Sequence, residues 1–414
     1  MYIILQAGIN LGLQGEIFNR MYCTRSSVIV NNELFSLLLT MLIIDGHLDM
    51  GYNALFHRRD LTRSIQELRE REDPVRSDLS SHPDSLDRRG GSPHTLNKGI
   101  VTVCLPEMRR AEVGIMLTTI MARAQTPGPT THNACRTRHT AEARGRAHLA
   151  YYQALERRGE VTFIKSKDDL ERSVTAWQDP QPDTPIGLIL SMESADPIDS
   201  PAAVAEWWEA GLRSVTLTHF GANTYGHGTG SLGGLYPTAY PLLDAMRETE
   251  MIIDLTHASD QAFWQILDYW DGPVHASHCN CRALVQGQRL LSDDMLRAII
   301  ERDGVIGIVF VDTMVNPQVN WDDPSTFVSQ AARPMRAMIE HVDHICQLAG
   351  NSRHVAIGTD LDGGFGRELA PVDMDTIADL QVFLDLLRGA GYNEDDVAAI
   401  AHGNLLRLFR NNWR

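Results

Sequence analysis

Apolar runs of five to eight residues recur along this chain, and stretches with helical spacing of apolar positions lie between them. Eight such runs read as strands: 42–46, 113–120, 186–192, 213–218, 251–256, 273–277, 304–311 and 354–359. Each is apolar almost throughout, with little alternation, so both faces of the sheet must be covered. Helical patterns separate most of them: 141–158 carries Leu149, Tyr152 and Leu155 at helical spacing, and 168–177, 201–210, 240–250, 259–268, 292–302, 324–349, 374–390 and 394–410 follow. Buried strands alternating with helices predict a parallel sheet, and eight units predict an α/β fold of the (β/α)8 TIM-barrel type with insertions. A doubly wound open sheet is the alternative, but no GxGxxG follows the first strand.

Two stretches stand outside this rhythm. Residues 1–40 fit no later pattern and are expected to be an N-terminal extension of unclear role, or to precede a natural start at Met41. Residues 41–414 then form one barrel domain. Residues 57–98 are rich in Arg, Asp, Ser, Gly and Pro, with one expected helix at 60–71. A lid and an irregular insert both fit so long an excursion.

Composition narrows the function. The formal net charge is −16, which disfavours nucleic acid and anionic lipid as partners. No run of 18 apolar residues predicts a membrane span, and the start lacks the basic region of a signal peptide. The six cysteines are scattered without a CxxC pair, which reads as reduced thiols in a cytoplasmic protein. Cys279 and Cys281 beside His278 have no second pair to complete a zinc finger.

The chemistry sits where the strands end. The first runs into Asp45-Gly46-His47-Leu48-Asp49, with His47 and Asp49 two residues apart and so on one side of an extended chain. Glu193, His219, His257, His278 and Asp360 close five further strands. In a (β/α)8 barrel the carboxyl ends of the strands form the face that carries the site. Seven ligand-type residues from six strand ends would therefore meet in one cup. They suit two Zn²⁺ ions bridged by Glu193, with His47 and Asp49 on one and His257 and His278 on the other. A bridging water would become the attacking hydroxide. Asp360 is left to carry the proton and His219 to donate to an oxyanion. Arg282 or Arg289 could clamp a substrate carboxylate.

The order DGHLD, ME, LTH, IDLTH, SHCN-x-R, TDLDG resembles the membrane (renal) dipeptidase family of metallopeptidases, in the amidohydrolase superfamily of barrels. The resemblance spans residues 42–409. It implies a binuclear zinc hydrolase acting on dipeptides, in many members with a D-residue on the carboxyl side. It implies His47 and Asp49 as first-strand ligands, Glu193 as the bridge, and His257 and His278 as ligands of the second ion. It implies His219 as the residue that polarises the scissile carbonyl, Arg289 as the holder of the substrate carboxylate and Asp360 as acid/base, with Asp362 second in line. It also implies a homodimer.

The chain departs from that family in three places. Ser194-Ala195 follows the bridging glutamate where the family has Gly-Gly. Val309-Phe310-Val311 stands where it often has an Asn-Phe-Tyr run, so a tyrosine near the substrate is missing. The 57–98 excursion is long. A second expectation is therefore an amidohydrolase acting on N-acyl amino acids, lactones or other esters, and a third is a non-catalytic binding barrel.

Overall fold

A computed structural model describes residues 40–72, 99–124, 134–327 and 332–413. Most of the expected extension at 1–40, residues 73–98 of the long excursion and residues 125–133 of the next loop lie outside the described residues. Among the described residues nine strands form one all-parallel sheet: β1 (Ile43–Leu48), β2 (Val113–Met121), β3 (Val161–Phe163), β4 (Ile186–Glu193), β5 (Leu212–Thr216), β6 (Ile252–Asp254), β7 (Val274–His275), β8 (Ile306–Ile308) and β9 (Val355–Ile357). Their order is β7-β6-β5-β4-β2-β1-β9-β8, with β3 paired to β4. The two ends of this path meet where Ala276 pairs in parallel with Ile306, backed by Ala276 N–H to Val305 O at 2.9 Å and Gly307 N–H to Ala276 O at 2.8 Å. The result is a (β/α)8-type barrel with one extra strand.

That extra strand went unseen in the sequence because only three residues of it pair. It occupies the flank of β4 at Ile186–Leu188, while β5 takes that flank from Leu190 onward. The ladders are shorter than the apolar runs at 273–277, 304–311 and 354–359, since burial continues past the last paired residue. The expected helix at 60–71 appears over 65–72. The one at 374–390 runs from Leu380 to Ala390 behind a 3-10 turn, Ile377–Asp379. The last helical stretch passes through a π-helical segment, Ala399–Gly403, between Glu394–Ala398 and Asn404–Asn412.

Alternate strand residues face different layers, as the pleat requires. Ile43, Met116, Leu188, Leu190 and Ile253 pack outward in the main core under the helices. Ile44, Ile115, Leu117, Ile189, Ile252 and Ala356 form a second cluster with Leu405, Leu406, Phe409 and Trp413, so the last helix packs on these inward residues. Higher in the barrel the wall closes in. A methyl group placed on Gly307 or Gly358 would meet the Ser277 carbonyl oxygen at 1.9 Å, and one on Gly46 at 3.0 Å. Three strands thus give up their side chains around one peptide of the β7 end. None of the described helices is long and apolar enough to cross a membrane.

Candidate active site

Two buried aspartates inside the strands set the positions of the strand ends. The carboxylate of Asp45 accepts from His47 N–H (3.1 Å), Thr359 N–H (2.9 Å) and the Thr359 hydroxyl (2.6 Å), tying the end of β1 to that of β9. Asp254 accepts from Thr256 N–H and Ser277 N–H, both at 3.0 Å, tying β6 to β7. A charge buried in a strand must be satisfied by hydrogen bonds, and these are satisfied by the backbone just before the site residues. An aspartate inside an otherwise apolar strand, as in Ile252-Ile253-Asp254, is the sequence signal that sequence reasoning passed over.

Beyond these ties the backbone is strained. Ser194, His257 and Asp360 have φ of +77°, +63° and +58°. Left-handed conformations of this kind in residues other than glycine cluster at functional sites. They let the chain turn sharply at the end of a strand, with the His257 and Asp360 side chains in the cup.

The structure brings the expected residues together around one oxygen. Glu193 Oε1 lies 3.1 Å from His257 Nε2, 3.3 Å from His219 Nε2, 3.4 Å from His278 Nε2 and 3.8 Å from His47 Nε2. His47 Nε2 also stands 3.9 Å from Asp49 Oδ1 and 3.9 Å from Asp360 Oδ1. The rings of His47 and His278 are 3.6 Å apart between centroids. All of these side chains are buried, apart from a small exposure of Asp360.

Such a cluster is suited to a cation. His47 Nε2 is buried and makes no hydrogen bond, because its neighbouring carboxylates are too far for one. Ligand atoms around a tetrahedral zinc, with bonds near 2.1 Å, stand about 3.4 Å apart, and the donor spacings here match that value. Three ligand groupings form: His47, Asp49 and Glu193; Glu193, His219 and His257; His47, His278 and Asp360.

Electrostatics point the same way. Burial, then the charge of Glu193, pushes the Asp49 carboxyl well above its usual range, and burial with Asp49 and Glu193 does the same to Asp360. Burial also works against the Glu193 anion, but the His219 imidazole beside it outweighs burial and holds that carboxyl well below its usual range. Burial and the neighbouring His278 lower His47 to about 3, so its ring is neutral, as a ligand's must be.

The other ring nitrogens have partners that sequence reasoning missed. The Ser277 hydroxyl stands 2.8 Å from His278 Nδ1 and 3.4 Å from His47 Nδ1, and the Thr229 hydroxyl 2.9 Å from His257 Nδ1. Arg123 Nη1 stands 3.2 Å from His219 Nδ1, and the Thr119 hydroxyl donates to Asp49. Metal-binding histidines commonly carry such a partner on the second nitrogen.

The two candidate clamps separate. Arg282 is engaged by Asp260 through two contacts of 2.7 Å, so the expectation of a free guanidinium there is corrected. Arg289 is buried, donates weakly to the His278 carbonyl at 3.3 and 3.4 Å, and among the described residues has no carboxylate within ion-pair distance. Asp362 is no rival to Asp360 in position: its carboxylate accepts from Thr102 N–H, the Thr102 hydroxyl and Val103 N–H, and pairs with Arg59 at 3.3 Å. Val309 and Val311 pack with Val285, Leu290 and Phe365, which leaves an apolar position where a tyrosine hydroxyl was sought.

Known proteins share this fold. The structure resembles the solved dipeptidase AC, a metallo peptidase of family M19, with a TM-score of 0.69 at 19% identity over 90% of this chain and 99% of that one. It also resembles a metallo peptidase from Rhodobacter sphaeroides liganded with a phosphinate mimic of the dipeptide L-Ala-D-Ala, with a TM-score of 0.66 at 19% identity over 90% of this chain and all of that one. In sequence, an uncharacterized protein in the pqqA 5' region of Klebsiella pneumoniae is 26% identical over 265 residues, 62% of this chain and 90% of that protein. Dipeptidase aclJ of Aspergillus oryzae is 26% identical over 228 residues, 54% of this chain and 51% of that protein, so the match spans about half of the fungal relative. The model of the membrane dipeptidase family, peptidase family M19, matches residues 32–412. The chain belongs to that family of metallopeptidases.

Proposed function

We propose that this chain is a two-zinc dipeptidase. The observation that carries the reading is the convergence of imidazole nitrogens on the single oxygen Glu193 Oε1, with Asp49 and Asp360 beside them. His47, Asp49 and Glu193 would hold one ion, and Glu193, His257 and His278 the other. Bound there, such ions supply Lewis-acid polarisation of a carbonyl and a water acidified towards a pKa of about 7.

The remaining work falls to the chain's own groups. Arg289 offers a buried guanidinium to the terminal carboxylate of a dipeptide, which fixes the register of the scissile bond. His219 offers a hydrogen bond to the carbonyl oxygen as negative charge develops on it. Asp360, beside His47 at the edge of the cup, takes the proton of the attacking water and passes it to the leaving amine. The L-Ala-D-Ala mimic bound to the Rhodobacter relative supports extending the substrates to dipeptides with a D-residue at the carboxyl side. The apolar position at Val311 favours a second reading, hydrolysis of N-acyl amino acids or lactones, in which no hydroxyl is needed there.

The test is amino-acid release from a panel of L,L and L,D dipeptides by zinc-loaded protein, with Asp360→Asn in parallel. Turnover is expected, and a fall of about 10²-fold or more in the variant. Silence on every dipeptide from protein holding two zinc ions, with hydrolysis of acyl amino acids, would overturn the dipeptidase reading in favour of the second.

A further inference from the structure

We infer that Arg123 is a positioning residue that keeps the ring proton of His219 on Nε2, so that His219 is a hydrogen-bond donor in the cup and is excluded from the metal ligands. The inference rests on the proposed metal site, whatever its substrate.

Distance to the shared carboxylate does not separate the four imidazoles. His219 Nε2 is 3.3 Å from Glu193 Oε1, between His257 at 3.1 Å and His278 at 3.4 Å. Glu193, His219 and His257 even form a ligand grouping of their own. What separates them is the partner of the second ring nitrogen. A guanidinium has five donors and no acceptor. Arg123 Nη1, 3.2 Å from His219 Nδ1, can therefore only donate to it, and Nδ1 must present its lone pair. A neutral imidazole then carries its hydrogen on Nε2, where it points at Glu193 Oε1. An Nε2 that bears hydrogen has no lone pair for an ion.

His47, His257 and His278 are backed differently. The Ser277 hydroxyl stands at Nδ1 of His47 and His278, and the Thr229 hydroxyl at Nδ1 of His257. A hydroxyl oxygen accepts, so these rings can keep hydrogen on Nδ1 and leave Nε2 free for a metal. Arg123 is well placed to enforce the difference. It follows the end of β2, is 4% exposed, and its guanidinium lies 5.6 Å from the centre of the Phe220 ring, beside His219. The assignment also accounts for a fourth histidine in a site that needs three.

The experiment is a two-bond nitrogen–proton correlation spectrum of the zinc-loaded full chain with isotope-labelled histidine, with His219 assigned by His219→Gln. The expected pattern has hydrogen on Nε2 of His219 and on Nδ1 of His47, His257 and His278. Hydrogen on Nδ1 of His219 overturns the inference, and this readout does not depend on which substrate the enzyme cleaves. Two variants extend it. Arg123→Lys keeps a donor and is expected to preserve the His219 pattern and kcat within about tenfold. Arg123→Glu supplies an acceptor and is expected to move the hydrogen to Nδ1. It should lower kcat by about 10²-fold, the cost of one lost donor at a developing oxyanion. Equal losses in both variants, with the His219 pattern unchanged in each, would reduce Arg123 to a packing role and overturn the inference.

Discussion

Replacing Asp362 by asparagine should unfold the protein more easily and leave its chemistry alone. One carboxylate oxygen takes Thr102 N–H at 3.0 Å and the Thr102 hydroxyl at 2.7 Å; the other takes Val103 N–H at 3.0 Å and the Arg59 guanidinium at 3.3 Å. An asparagine has one oxygen. Its amide group on either side would face donors with a donor, so about two hydrogen bonds to a charged acceptor are lost, at roughly 1.5–3 kcal/mol each. Part of this is recovered. Burial is the largest influence on the Asp362 carboxyl and pushes it up, so the charge itself is a cost, and Arg59 keeps Glu72 at 2.8 Å. The net expectation is about 3 kcal/mol, or a fall of roughly 4 °C in the unfolding midpoint for a domain of this size. The assay pairs thermal unfolding with peptide turnover per folded molecule, measured well below both midpoints. Asp360→Asn is the counterpart: it relieves a carboxyl crowded by Asp49 and Glu193, so metal-free protein should be no less stable, while turnover collapses. A folded Asp362→Asn that has lost turnover, beside an Asp360→Asn that keeps it, would refute the assignment of roles.

Other expectations follow from the same geometry. Arg289→Met should raise KM for dipeptides by tenfold or more, whereas Arg282→Ala, which only releases a part-exposed pair with Asp260, should leave KM unchanged and cost at most about 1 kcal/mol of stability; equal KM effects would remove Arg289 from the substrate. Ser194→Ala should destabilise more than Ser194→Gly, by about 1 kcal/mol, because alanine keeps the +77° backbone and loses the hydroxyl bond to Asp196 while glycine sheds the strain; comparing chemical-denaturation midpoints tests the order. His341 accepts from Cys281 N–H at 3.1 Å, and burial, aided by His344 and Arg333, lowers its ring to about 3. Below about 6.5 the unfolded chain takes up a proton that the folded one refuses, so stability should fall by about 1.4 kcal/mol per pH unit from there towards 3. His341→Asn should flatten that slope between pH 6 and 4.5, and an unchanged slope would count against the reading.

Much of the site was legible because its residues close strands that are apolar throughout. His257 follows a strand that is apolar but for its aspartate, Ile252-Ile253-Asp254, by a fixed short distance, and that kind of spacing can be read without coordinates. The strand β3 could not be read, since three paired residues between two helices carry no period of their own. Nor could the partners behind the imidazoles. Thr229 comes from the Gly-rich loop after β5, and Arg123 lies ninety-six positions from the ring it touches. No local pattern links such residues; they meet only once the barrel has closed. Asp362 illustrates the converse. It sits two residues from Asp360 in the chain, and a turn with positive φ at both positions sends the two carboxylates to different neighbours.

The glycine collar around the Ser277 carbonyl gives the barrel a narrow gauge at the height of the site. Gly46, Gly307 and Gly358 belong to β1 and to the β8 and β9 ends, and Ser277 leads directly into His278. The absent side chains let that peptide lean across the lumen until the His278 ring rests 3.6 Å from the His47 ring. The collar therefore acts as a caliper: it sets the span between the His47 and His278 rings, and so the room for an ion in the proposed site. An alanine at Gly307 or Gly358 would open the jaws rather than merely crowd the core. In the proposed metal site, preference among ions would thus rest partly on residues that have no side chain to offer.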